Sequence, residues 1–150
     1  MKVLILILFV VFSVISCDTT QKEKPKEQKS QNQILNPGCY VYYKNGDTIN
    51  MKIDQVGDSV TGTLDIAYAE KDANTGTFKA ALKGDTLLGT YTFNSEGMQS
   101  EREIAFLIKN NQLIEGYGEM KENGMSFKDK NNLQYTSAMP LSKVACEQVN

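Results

Sequence analysis

Gly57-Asp58-Ser59-Val60-Thr61-Gly62-Thr63-Leu64 returns as Gly84-Asp85-Thr86-Leu87-Leu88-Gly89-Thr90-Tyr91 and, degraded, as Asn111-Gln112-Leu113-Ile114-Glu115-Gly116-Tyr117-Gly118. Each copy opens on residues that tolerate the positive φ of a tight hairpin turn, then alternates side-chain character as a half-buried strand does. The copies stand twenty-seven residues apart, the length of one hairpin. Asn45-Gly46, Asn110-Asn111 and Asn123-Gly124 extend the same punctuation in both directions. Between these turns lie β-rich runs at 40–43, 48–55, 59–69, 75–83, 86–94, 99–109 and 112–121, followed by shorter pieces around Phe127, Tyr135 and Val144. No long stretch carries a helical period. The expectation is an all-β fold, an antiparallel up-and-down meander of about eight strands forming a small β-barrel, closed or partly open. A solenoid of stacked hairpins fits the period too, but the chain is short for one.

Alternation assigns the faces. Val60, Gly62, Leu64, Ile66 and Tyr68 share one side, as do Leu87, Gly89, Tyr91 and Phe93, and the repeat extends the pattern to Ile114, Gly116, Gly118 and Met120. Phe78, Ala80 and Leu82, then Ile104, Phe106 and Ile108, come from the intervening strands. Glycine at the same inward place of three hairpins either permits strand bending or leaves an interior cavity.

Working outward from the repeats, the N-terminal end reads as an address. Lys2 supplies a positive charge, residues 3–15 an apolar core shorter than the ~20 residues that span a bilayer, and Ser16 a small residue before Cys17. Val14-Ile15-Ser16-Cys17 resembles the bacterial lipobox, with valine where leucine is more usual. The resemblance implies cleavage before Cys17, acylation of its sulfur and stable attachment to a membrane. The polar stretch that follows has no residue able to seed a core and is expected to be a disordered tether. The organisation expected is therefore a lipoprotein signal peptide at 1–16, lipidated Cys17 and linker at 17–36, and a barrel domain at 37–150. Asp18 resembles an inner-membrane retention signal, whereas Gln21-Lys22-Glu23 resembles an export tag of surface lipoproteins. The Asn-, Lys- and Ile-rich composition favours the second, which points to the outer membrane of a cell envelope.

With Cys17 assigned to lipid, Cys39 and Cys146 remain at the two ends of the domain, and in an oxidising compartment they are expected to pair. That bridge would tie the first strand to the last. The formal net charge of -2 shows no basic excess, so a nucleic-acid partner is not expected. The chain has no histidine. The commonest general base and zinc ligand is therefore missing, and with both mature cysteines bridged, no catalytic residue, cofactor or metal site is expected. Glu115 and Glu119, with Tyr117 between them, are placed outward by the repeat and read as solvated charges. The stretch 70–76 alternates oxygen ligands but lacks the closing glutamate of a calcium loop.

One residue stands out. Arg102 is the chain's single arginine, and parity sets it and Ser100 on the inward face of Ile104 and Phe106 near a barrel mouth. There it could clamp a carboxylate or phosphate, with Tyr68 or Tyr91 supplying hydroxyls. The plainer expectation is an ion pair with Glu70, Glu96, Glu101 or Glu103 that closes the barrel end. Gly84-Asp85-Thr86-Leu87, Ser95-Glu96-Gly97 and Glu115-Gly116-Tyr117-Gly118-Glu119 resemble runs in small lipobox-anchored lipoproteins of Bacteroidetes, over the whole stretch from Cys39 to Cys146. That likeness implies no activity. The pairing of a lipid anchor with a small meander barrel is also similar, in architecture only, to lipocalin-type and other calycin-like lipoproteins. Two functional expectations follow: a non-enzymatic barrel that binds a small amphipathic or anionic ligand, or a packed module that contacts another envelope protein through Tyr40, Tyr42 and Tyr117.

Overall fold

A computed structural model describes residues 35–149. The expected signal peptide, Cys17 and the expected linker up to residue 34 lie outside the described residues. Eight strands follow in order: β1 (Gly38–Lys44), β2 (Asp47–Val56), β3 (Val60–Ala67), β4 (Asn74–Lys83), β5 (Thr86–Ser95), β6 (Met98–Lys109), β7 (Gln112–Glu115) and β8 (Leu141–Val144). Each pairs antiparallel with the next, and β8 returns to β1, so the meander closes into a barrel. Closure removes both sheet edges, which excludes the solenoid. The bridge Cys39–Cys146 spans the closing seam with its Cα atoms 5.2 Å apart, beside the pair Cys39↔Val144.

Turn chemistry explains the tight connections. Asn45 and Gly46, Glu96 and Gly97, and Asn110 and Asn111 all carry positive φ, the requirement of two-residue hairpin turns whose twist matches that of the strands. One barrel end holds the turns at 45–46 and 96–97, the loop 68–73 and a long excursion, 116–140; this end is the mouth. The opposite end holds the turns at 57–59, 84–85 and 110–111, together with the disulfide.

The interior is filled. Tyr91, Phe106, Ile49, Met51, Ile53, Leu64, Leu87, Leu113, Leu141 and Val60 are almost wholly removed from water, and Leu35 joins the same core from ahead of β1. Eight strands leave an interior that such side chains fill. The inward glycines of β3 and β5 serve close backbone approach rather than a cavity. A Cβ at Gly62 would lie 1.9 Å from the Lys52 carbonyl oxygen, and one at Gly89 would lie 2.3 Å from that of Lys79. The strands bend here, and β2 slips register between Ile53 and Gln55 opposite Gly62.

Four readings change. In β7 the buried residue is Leu113, paired with Ile108, so Leu113 and Glu115 face inward and Ile114 does not. The cause is turn spacing. The turn Gly84-Asp85 corresponds to Asn110-Asn111, twenty-six residues on rather than twenty-seven, and a one-residue slip sends every side chain of a strand to the other face. Gly116 consequently lies outside the interior, where a Cβ would meet the ring of Tyr135 at 2.5 Å. Secondly, β2 contributes Ile49, Met51 and Ile53 to the core, which no repeat marks. Thirdly, Tyr40 is 3% exposed, with its hydroxyl donating to the Asn36 carbonyl, and is no surface residue. The strand expected over 112–121 stops at Glu115, and the chain continues through isolated bridges, Tyr117↔Gln134 and Met120↔Phe127.

Candidate functional site

β5 and β6 build the floor of the mouth. Tyr91 pairs with Arg102 and Phe93 with Ser100, so all four side chains share the inward face where β6 approaches its turn. The Tyr91 and Phe93 rings stack, with centroids 4.9 Å apart and planes inclined by 18°. The Arg102 guanidinium carbon lies 5.8 Å from each ring centroid, near the outer limit of cation–π attraction. The rings position the guanidinium without neutralising it.

None of the expected acids does so either. Glu101 accepts a hydrogen bond from Thr92 Oγ1, Glu103 is paired with Lys130, and no carboxylate lies within ion-pair distance of Arg102 among the described residues. Arg102 Nε is buried and has no hydrogen-bond partner. A charged donor in that condition is costly to keep.

Glu115 faces this arginine from β7. Burial pushes its carboxyl above the ordinary value, while Arg102 and a hydrogen bond from Tyr117 pull in the other direction without cancelling the rise. Tyr117 Oη lies 3.1 Å from Glu115 Oε2 and 3.1 Å from Ser137 Oγ. With one proton, the phenol donates to the carboxylate and accepts from the serine hydroxyl. Ser137 Oγ in turn accepts from the Met139 N–H. Tyr68, half-buried at the end of β3, senses the same charges: burial, Glu115 and Tyr117 raise its hydroxyl's pKa, and Arg102 lowers it.

The excursion 116–140 walls the site and is fastened at Glu103. The Glu103 N–H donates to the Met125 carbonyl at 2.7 Å, its carboxylate accepts from the Phe127 N–H at 2.9 Å, and Lys130 completes the clasp. Burial works against the Glu103 charge, but Lys130, the Phe127 amide and Lys121 outweigh it and hold the carboxyl below its ordinary value. Because β7 ends at Glu115, β6 and the excursion part beyond it. They leave a cavity of about 240 Å³ lined by Arg102, Ile104, Glu115, Tyr117, Met120 and Phe127 among others.

The structure therefore brings Arg102 and Tyr68 into one electrostatic neighbourhood, with Ser100 one step nearer the turn. Tyr91 plays a different part from the one expected. Its hydroxyl lies 2.7 Å from the Leu64 carbonyl and 3.0 Å from that of Asn74, and burial pushes its pKa up to about 12. It offers a ring face to the site and no free hydroxyl. Phe93, placed inward by alternation but given no role, joins the site, as do Glu115 and Tyr117, which the repeat placed outward; the twenty-six-residue turn spacing is the signal that locates Glu115. A wider groove of about 670 Å³ crosses the exterior of β3 to β5, where Thr61, Thr63, Thr77, Thr90 and Thr92 are ordinary outward strand residues. Among the described residues, no group of three or more Cys, Asp or Glu side chains converges to hold a metal ion. No family model matches the chain, and no similar curated protein or solved structure was found.

Proposed function

We propose that this protein is a membrane-tethered, non-enzymatic envelope module that binds a small anionic or amphipathic molecule at the mouth of its barrel. The observation that carries the reading is Arg102, a half-buried guanidinium with an orphaned Nε, framed by two stacked rings and opening on a cavity. A guanidinium presents a planar fork suited to a carboxylate or phosphate, and the surrounding apolar wall strengthens that attraction. The filled interior limits what can enter. At about 240 Å³, the cavity falls short of the ~300–1,000 Å³ typical for drug-sized ligands, so it suits a headgroup or short chain rather than a molecule swallowed whole. Attachment through Cys17 at the outer membrane belongs to the same proposal and rests on the lipobox-like run.

Native mass spectrometry of the protein purified from its own envelope tests the reading. A reproducible small-molecule adduct that disappears in Arg102→Ala is the expected result. Bare monomers, without adduct in either the wild type or Arg102→Ala, would transfer the function to protein partners. That second reading has its own support, because the exposed large apolar side chains Tyr43 (74%), Met98 (67%), Tyr117 and Met125 all lie at the mouth end. Exposed large apolar groups at one end of a domain suit a protein contact.

A further inference from the structure

We infer that the mouth takes up a carboxylate together with a proton: Glu115 is protonated from solvent as the ligand's carboxylate docks on Arg102. The inference rests on the proposed anion site and adds the ligand class and its coupling to pH. Arg102, Glu103 and Glu115 line one cavity. Glu103 is paired with Lys130, whereas Arg102 and Glu115 do not touch as an ion pair, so beside that closed pair the site balances one positive and one negative charge across a gap. A second carboxylate placed in that gap would leave two negative charges facing one positive in a partly dehydrated space. Two such carboxylates favour sharing a proton.

The proton has a place to act. Protonated Glu115 turns from acceptor to donor and can hydrogen-bond the incoming carboxylate, while Arg102 supplies the countercharge. In balance, one carboxylate and one proton enter, and the site's net charge is unchanged. The charged and titratable groups around Glu115 are Arg102 from β6, Tyr117 from the excursion and Tyr68 from the end of β3, with Asp47 of β2 acting on Tyr68, and Glu103 of β6, which lines the same cavity and is paired with Lys130 of the excursion. The nearby cations Lys130 and Lys121 act on Glu103 rather than on Glu115, so neither offsets an added anion. Burial of Glu115 already favours its neutral form, so the proton is gained at modest cost.

The experiment is calorimetric titration of octanoate into the mature chain made lipid-free by Cys17→Ser, at several pH values between about 6.5 and 8.5, above the range where octanoate itself protonates. Buffers of different ionisation enthalpy report the protons exchanged. The expected result is uptake of one proton per octanoate and a dissociation constant that weakens roughly tenfold per pH unit once Glu115 is ionised in the free protein. Glu115→Gln should bind without pH dependence and match the wild type's tightest, low-pH affinity, and Arg102→Gln should lose binding throughout. Octanoate binding with no proton uptake and a flat pH profile would overturn the inference while leaving an anion site intact. Absence of octanoate binding at every pH, with the chain folded, would overturn the carboxylate site and this inference together.

Discussion

At Gly89 the backbone of β5 comes so close to β4 that a single added methyl group would meet backbone atoms. Its Cβ would fall 2.3 Å from the Lys79 carbonyl oxygen and 2.4 Å from the Ala80 Cα, and neither backbone atom can move without shifting a strand. Gly84, in the neighbouring turn, has nothing within 4 Å of a built Cβ and is constrained only by its φ of +62°. Gly89→Ala should therefore destabilise by about 3 kcal/mol or more through overpacking. Gly84→Ala should cost only about 1 kcal/mol of left-handed strain. Urea denaturation of both variants checks this, and equal losses would mean that β4 and β5 can separate to admit a side chain. Glycine at this position was legible in the repeat; its purpose was not, because a bend and a cavity call for the same residue. Glu115 shows the complementary limit. Its identity is in plain view, yet its inward direction depends on a turn one residue earlier than the repeat suggests.

Among the elements, the excursion 116–140 is the one whose form departs most from the expected strands. It has only isolated bridges in place of a ladder, so its hold on β6 depends on Glu103. The folded value of this carboxyl is below its ordinary 4.5. A depressed acid contributes stability that is present above its unfolded value and lost as pH falls through the folded one. Glu103→Gln should mimic that loss at neutral pH. Amide exchange at Phe127, whose N–H donates to this carboxylate, should quicken roughly tenfold, the effect of losing a hydrogen bond to a charged group, while Phe106 in β6 stays protected. Unchanged protection at Phe127 would assign the hold to Met125 and the backbone alone. Turn residues such as Asn123-Gly124 announced that the chain folds back here. They could not announce that Glu103, some twenty residues earlier, receives it.

For the whole molecule, closure is a long-range event made at its weakest seam. β8 pairs with β7 through only Gln112↔Ser142 and Leu113↔Leu141, and with β1 through three positions, so the bridge Cys39–Cys146 reinforces a short ladder. Its sequence separation of 107 places it where chain-entropy reasoning gives about 4–5 kcal/mol. Replacing both cysteines by serine should lower unfolding free energy in urea by about that amount; a loss below about 1 kcal/mol would show that Leu141 and its neighbours close the barrel unaided. The sequence by itself determined the β class, the hairpin turns and the buried faces of β3 through β6, because positive-φ turn residues and two-residue alternation act between near neighbours. Only the tertiary structure decided that the interior is filled, that Tyr40 is buried, and that Glu115 rather than Ile114 faces Arg102. Those outcomes depend on the register passed from strand to strand around the barrel, where one residue of turn length reverses a face and brings together groups that no local pattern relates.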